Sequence, residues 1–147
     1  LIRIAVIDGQ GASVGSAVIK KIRQIYGEEV EMWALGTNAI ATTQMMKAGA
    51  NRGATGESAV CHCVQRVDVI IGSIAILMSN SLMGELTPAM AHAIGSSSAP
   101  KLLLPITQEL VAVVGTVFEP LPHLVDRLVS EHLAPLVAEK ERSRAHA

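Results

Sequence analysis

Apolar and polar positions along this chain fall into blocks that switch between two spacings. Leu1-Ile2-Arg3-Ile4-Ala5-Val6-Ile7 is a short, almost continuous apolar run, the pattern of a strand covered on both faces. Val14, Val18, Ile22 and Ile25 then recur at helical spacing with Lys20, Lys21, Arg23 and Gln24 off the stripe, so an amphipathic helix follows, and Gly27 stops it. Val30 to Leu35 predicts a second strand ending at Gly36-Thr37-Asn38, and residues 39–48 predict a helix closed by Gly49. Gly53-Ala54-Thr55-Gly56 reads as a turn before a helix from about Glu57 to Arg66. Asp68-Val69-Ile70-Ile71-Gly72 is the third predicted strand. Thr87-Pro88 marks a helix start, Thr as N-cap and Pro at the first helical position, and Gly95 its end.

Residues 101–105 and 110–114 predict strands four and five. Only Ile106 to Glu109 separates them, too few residues for a helical crossover, so these two are expected to pair antiparallel. Leu121, Leu124, Val125, Leu128, Leu133, Leu136 and Val137 form the apolar face of a last helix over about 121–137, which Pro135 is expected to kink or end. Alternating strands and helices predict one α/β domain of three layers, Rossmann-like, with a mostly parallel five-stranded sheet and a possible antiparallel edge strand. The expected order of the predicted strands is 3-2-1-4-5. Residues 1–138 form the expected nucleotide-binding domain, and residues 139–147, where Lys140, Glu141, Arg142 and Arg144 cluster, a solvated, fraying tail.

Composition narrows this picture. At 147 residues the chain is long enough for one domain with a sizeable core. Half of it is apolar but only 2% is aromatic, so aliphatic residues and Met must build that core. So high an apolar share in a small domain suggests a homodimer that covers part of the surface. A formal net charge of −1 without a basic block leaves no footprint for nucleic acid. No apolar run approaches a membrane span and the start lacks the marks of a signal peptide, so no membrane partner is expected. Two cysteines without a disulfide framework point to a reducing, cytoplasmic setting.

Candidate chemistry centres on the first turn. Asp8-Gly9-Gln10-Gly11-Ala12-Ser13-Val14-Gly15 joins the first strand to a helix start, where free N–H groups and the helix dipole favour an anion. The glycines fall as G-x-G-x-x-x-G, one residue longer than the dinucleotide fingerprint, and no Lys-Ser or Lys-Thr follows as a P-loop requires. A glycine turn serving packing alone is the competing reading. Asp8 is either a ligand contact, to a sugar hydroxyl or a magnesium ion, or a carboxylate that caps its own turn; with no second carboxylate beside it, no metal site is expected. Strand two ends in Gly36, Thr37 and Asn38 where an NAD-binding protein carries a ribose-binding acid, and these residues serve either a ribose or a helix cap. Asn80 and Glu85 are placed at the far end of the ligand. The cofactor-binding set is thus Asp8, Gly9, Gln10, Gly11, Ala12, Ser13, Gly15, Gly36, Thr37, Asn38, Asn80 and Glu85, for NAD(P) or an adenine nucleotide.

Other motifs carry less. Cys61-His62-Cys63 on a helix points its thiols about 200° apart, which cannot close on one ion, and one buried and one exposed cysteine is expected. His92, His123 and His132 lie in predicted helices, and neither a Tyr-x-x-x-Lys pair nor a Gly-x-Ser-x-Gly elbow occurs. The leading expectation is a module that senses or carries a nucleotide. The alternatives are a small NAD(P)-dependent oxidoreductase completed at a dimer interface, and an interaction subunit without a small-molecule ligand.

The runs Ala5-Val6-Ile7-Asp8-Gly9-Gln10-Gly11, Ala34-Leu35-Gly36-Thr37-Asn38-Ala39, Ala48-Gly49-Ala50-Asn51 and Gly53-Ala54-Thr55-Gly56-Glu57, with Asn80, Gly84-Glu85 and Thr87-Pro88, form a specific combination. Over residues 2–128 the chain resembles a bacterial domain-of-unknown-function family of short proteins, found largely in anaerobic Firmicutes. That resemblance implies a Rossmann-like fold and brings no substrate or catalytic residue with it. The turn Gly11-Ala12-Ser13-Val14-Gly15 has fewer glycines than the family pattern implies.

Overall fold

The computed structural model describes residues 1–146. Strand β1 (Ile2–Asp8) sits at the centre of a five-stranded sheet because its side chains are apolar on both faces. It pairs in parallel with β2 (Val30–Gly36) on one side and β4 (Val69–Ser73) on the other. Outside these lie β3 (Arg52–Thr55), parallel to β2, and β5 (Lys101–Leu104), parallel to β4. The order is β3-β2-β1-β4-β5.

Helices cover both faces. Alternate residues of β1 divide between two cores, as the two-residue strand period requires. Ile2, Ile4 and Val6 face a cluster with Val18, Ile19 and Ile22 of α1 (Ser13–Tyr26), Ala41 and Met45 of α2 (Ala39–Ala48), and the C-terminal helices. Ala5 and Ile7 face Val60 of α3 (Glu57–Cys63), Met90 and Ile94 of α4 (Pro88–Ser96), and Ile76 from the 3-10 turn Ile74–Leu77. The α/β three-layer architecture is therefore the one expected, built on one fully parallel sheet.

Four expectations are corrected. The third predicted strand, now β4, does not lie beside β2; it lies on the opposite side of β1. Its expected place is filled by β3, read in the sequence as a turn because Arg52-Gly53-Ala54-Thr55 has small residues and no apolar alternation of its own. Residues 110–114 form no strand, and among the described residues every strand pair is parallel: the chain leaves β5 at Pro105 and runs without regular structure to Pro120. The stripe of α1 runs through Gly15, Val18, Ile19 and Ile22, leaving Ile25 half exposed.

The C-terminal helix does not stop at Pro135 or fray after residue 138. It runs as α5 (Leu121–Arg127), a π-helical stretch (Leu128–Leu133) and α6 (Ala134–Ala145). Proline clashes with the carbonyl four residues back, and the wider π turn just before Pro135 relieves that clash. Lys140 of α6 reaches Asp68 at 3.2 Å, tying this helix to the entrance of β4.

Several residues of the shared sequence pattern hold the scaffold. Asn51 Oδ1 accepts from the Met32 N–H (2.8 Å) and from Arg23 Nη2 (2.7 Å), while Arg23 also donates to the Gly49 carbonyl. One guanidinium thus ties the end of α1 to the end of α2 and the start of β3. Thr87 caps α4, accepting from the Met90 N–H at 3.2 Å, and donates to Glu57 of α3. A Cβ on Gly53 would meet Thr42 Cγ2 at 2.8 Å and the Met46 side chain at 3.0 Å. Gly53→Val should therefore lower the unfolding free energy by about 1–3 kcal/mol through overpacking. Urea denaturation measures this, and an unchanged midpoint would contradict β3 as drawn.

Candidate functional site

The carboxyl ends of β1, β2 and β4 come together where the direction of winding reverses, between β1 and β4. In open α/β sheets this is where ligands bind. A cavity of about 560 Å³ opens there. Its walls are the first turn, Asp8 to Val14; Ser73 and Ala75 after β4; Asn80 and Leu82 to Gly84 from the following loop; and Ile106 to Glu109 after β5.

Asp8 closes the bottom of the first turn. Its carboxylate is buried and accepts from the Gly9 N–H and the Gly15 N–H, both at 2.7 Å. Burial pushes this carboxyl above its ordinary range, the two backbone bonds pull the other way, and the neighbouring Glu85 charge pushes it up further. Ala12 at the helix N-cap offers no side-chain acceptor, so Asp8 caps α1 from a distance in sequence. Ala12 N–H donates to the Gly9 carbonyl and Gln10 N–H to Glu85. The N–H groups of Gly11, Ser13 and Val14 have no partner among the described residues, and all three residues line the cavity.

A second carboxylate organises the side of the cavity. Glu85 Oε1 accepts from Gln10 N–H (3.0 Å), Thr37 Oγ1 (2.6 Å) and Asn38 Nδ2 (2.9 Å). Burial alone would push Glu85 up, but the bonds from Gln10, Thr37 and Asn38 together hold it below its ordinary value. Asn38 does double duty: its Oδ1 caps α2 through the Ala41 N–H (2.8 Å), while its amide also reaches the Gln10 carbonyl (3.1 Å). Three loops that lie apart in sequence are thus locked together by one carboxylate and one amide.

Of the twelve residues expected to bind a cofactor, Asp8, Gly9, Gln10, Gly11, Ala12, Ser13 and Asn80 line the cavity. Thr37, Asn38 and Glu85 gather beside it and bond to one another. Gly36 lies under the Thr42 backbone, 2.6 Å from where its Cβ would stand, and Gly15 packs against Met45 and Asp8. The glycines of the turn differ in purpose. A Cβ on Gly9 would collide with Thr37 Oγ1 and come within 2.9 Å of Glu85 and Leu82, whereas one on Gly11 would meet nothing within 4 Å. Gly9 is required by the protein's own contacts; Gly11 faces open space.

Ser73, expected from the sequence at the ligand edge after its strand but not in the cofactor-binding set, lines the cavity, as do Leu82, Met83 and residues 106–109, which were not expected there. Ser73 ends a strand, a placement legible once β4 is located. The others carried no local signal, since Leu82 and Met83 are apolar residues in an irregular loop. Their backbone is unusual: Gln10, Ala12, Asn80, Leu82 and Met83 are the non-glycine residues with positive φ, between 48° and 65°, and every one lines this cavity. Such conformations cost of order 1–3 kcal/mol each and concentrate at functional sites.

Cys61 and Cys63 are both half-buried on α3, rather than one buried and one exposed, and burial raises both thiol pKa values. No cluster of three metal-ligating side chains occurs among the described residues. No helix among them is long and apolar enough to cross a membrane.

The fold and this cavity define an α/β protein of Rossmann-like architecture with a pocket at its topological switch point. Residues 3–137 match the family described as a domain of unknown function (DUF3842), and the chain belongs to it. No curated protein matches the sequence. Among solved structures the chain is similar to a dodecameric FMN-dependent UbiX-like decarboxylase from Escherichia coli O157:H7, with 14% identity, coverage of 89% of this chain and 93% of that one, and a TM-score of 0.45.

Glu85 provides a direct test of the bracket. Its carboxyl is held below the ordinary value of 4.5 in the folded protein, so its contribution to stability is present above that pH and is lost as pH falls through the folded value. Glu85→Gln should remove this acid limb from the difference between wild-type and variant unfolding midpoints across pH 3–6. Asp8→Asn, which replaces an acceptor of two buried N–H groups, should cost about 1–3 kcal/mol at pH 7. Chemical denaturation checks both.

Proposed function

We propose that this protein binds a nucleotide at the turn after β1, as a module that senses or carries the ligand. The observation that supports this reading is the cavity at the β1/β4 switch point, lined at the start of a helix by Gly11, Ser13 and Val14, whose N–H groups have no partner among the described residues. A phosphate is the natural occupant of such donors. The remaining walls suit a nucleoside: Leu82, Met83 and Ile106 are apolar, while Ser73, Asn80, Thr107 and Gln108 offer neutral hydrogen-bonding groups. A volume of about 560 Å³ lies within the range of small-molecule sites.

The carboxylates favour an adenine mononucleotide over NAD(P). Asp8 already occupies the Gly15 N–H, which leaves fewer donors for a pyrophosphate. Thr37 and Asn38, where a dinucleotide's ribose would rest, are bonded to Glu85. Among the described residues Asp8 and Glu109 are the only ionisable side chains lining the cavity, and the Asp8 carboxylate is committed to the Gly9 and Gly15 N–H groups. This favours holding a ligand over transforming one.

Thermal shift and calorimetry with AMP, ADP, ATP, NAD and NADP test the reading. A ligand at about 100 times its Kd adds roughly 2.7 kcal/mol, several degrees for a chain of this size. AMP or ADP should shift the melting temperature more than NAD does. Gly11→Leu, whose side chain enters open space, should keep the fold and weaken binding at least about tenfold, or 1.4 kcal/mol. No shift with any nucleotide would overturn the proposal.

A further inference from the structure

The segment between β5 and α5 is the least expected part of this chain. Leu110-Val111-Ala112-Val113-Val114-Gly115-Thr116-Val117-Phe118 has the composition of a buried strand, yet it forms none. Leu110, Val114 and Phe118 are almost wholly exposed (106%, 98% and 94%), and Val117 largely so. Large apolar side chains left in water this way offer an area on the order of the ~800 Å² that each partner contributes to a standard protein interface. A monomer rarely exposes a contiguous apolar patch of more than about 300–600 Å².

A matching acceptor lies on the same molecule. β5 is the outer strand of the sheet, and its second edge is unpaired. Parallel strands are normally covered on both faces, but Leu102 and Leu103, which point to opposite faces, are each only half-buried. Beside this edge a groove of about 650 Å³ runs between β5 and the C-terminal helices, floored by Leu102, Leu103, Leu104, Leu124 and Leu128 and walled on one side by Gly115, Thr116 and Val117 of the same chain's arm. Its rim carries Lys101, Glu119, Arg127 and His132, with Arg127 and Glu119 paired to each other at 2.9 Å, so what the groove offers an incoming segment is chiefly its leucine floor and the free β5 edge.

We infer that the arm Leu110–Phe118 is a self-association device, and that its partner is a second copy of this chain. Each copy lays its arm along the free β5 edge and into the leucine-floored groove of the other, where it takes the place that Gly115–Val117 hold in a single copy. The exchange is reciprocal, so one surface serves both copies and the assembly closes. It also pairs an edge that is otherwise a template for indiscriminate strand addition. Residues 106–109, at the root of the arm, line the nucleotide-sized cavity, so docking the arm fixes one wall of that cavity. The association itself does not rest on the nucleotide reading.

Sedimentation velocity of the full chain from about 1 to 200 µM tests this. The wild type should sediment as a dimer at the upper end, and Leu110→Asp/Val114→Asp and Phe118→Asp should sediment as monomers. These side chains are exposed in one copy, so far-ultraviolet circular dichroism of the variants should match the wild type. Amide exchange at residues 101–104 should slow with concentration in the wild type and not in the variants. A wild type that stays monomeric throughout overturns the inference. So do variants that associate as well as the wild type, and a monomeric wild type that co-sediments with phosphatidylcholine vesicles instead.

Discussion

A buried carboxylate at the end of the central strand determines what the first turn can do. Removing a charge from water is costly unless donors replace the lost hydration. At Asp8 the replacements are two backbone N–H groups, one directly after the strand and one inside the first turn of α1. Those same donors are what a glycine-rich turn usually presents to a phosphate. The turn is therefore held by its own carboxylate, and the donors that Asp8 leaves free belong to Gly11, Ser13 and Val14, which line the cavity. Strand end, turn and helix start are fixed relative to one another before any ligand arrives.

Glu85 repeats this logic one layer out. It draws Gln10, Thr37 and Asn38 to a single oxygen, so the loops after β1 and β2 are bound to a third that comes from beyond β4. Asn38 is both the cap of α2 and a member of this bracket, so the helix start and the loop position are set together. The crevice over β1 and β2, the usual seat of an adenosine ribose, is occupied by the protein's own side chains. The switch-point cavity lies towards β4 and β5, and a second depression lined by Gln10, Asn38, Ile40 and Glu85 adjoins that cluster. The cavity is displaced by internal bonding, with the sheet order left intact.

Local chemistry made much of this readable from the sequence. The β1 strand, the glycine turn, the Gly27 and Gly49 stops, the Asn38 cap and the Thr87-Pro88 start all follow from residues close in sequence, and each appears where those residues place it. The errors arise where pairing decides. Arg52-Gly53-Ala54-Thr55 has weak strand propensity and becomes β3 because β2 offers it an edge. Residues 110–114 have strong strand propensity yet pair with no strand of the sheet, although the outer edge of β5 is free. The alternative readings of Asp8 and Asn38 could not be separated beforehand, because capping groups and ligand groups are the same residue types at the same helix ends. The wall formed by Leu82, Met83 and residues 106–109 depends on long-range folding that leaves no local mark.

Backbone strain distinguishes the members of that wall. Asn80 adopts a left-handed conformation at modest cost, because asparagine tolerates it better than most residues. Leu82 is not tolerant, but its side chain packs against the core beneath Gly9, and that contact offsets its strain. Met83 has neither advantage: its φ is 56° and its side chain is 90% exposed at the mouth of the cavity. What holds it there is the loop's own closure, with Gly84 N–H donating to Asn80 and Ser81, Leu86 N–H to Ser81, and Ser81 Oγ to Ala75. A flexible thioether projected into solvent at the mouth of the cavity adds nothing to the buried core of this chain. The fold keeps it in place at a cost, beside the first turn and in the wall of the same cavity that Asp8 to Val14 line.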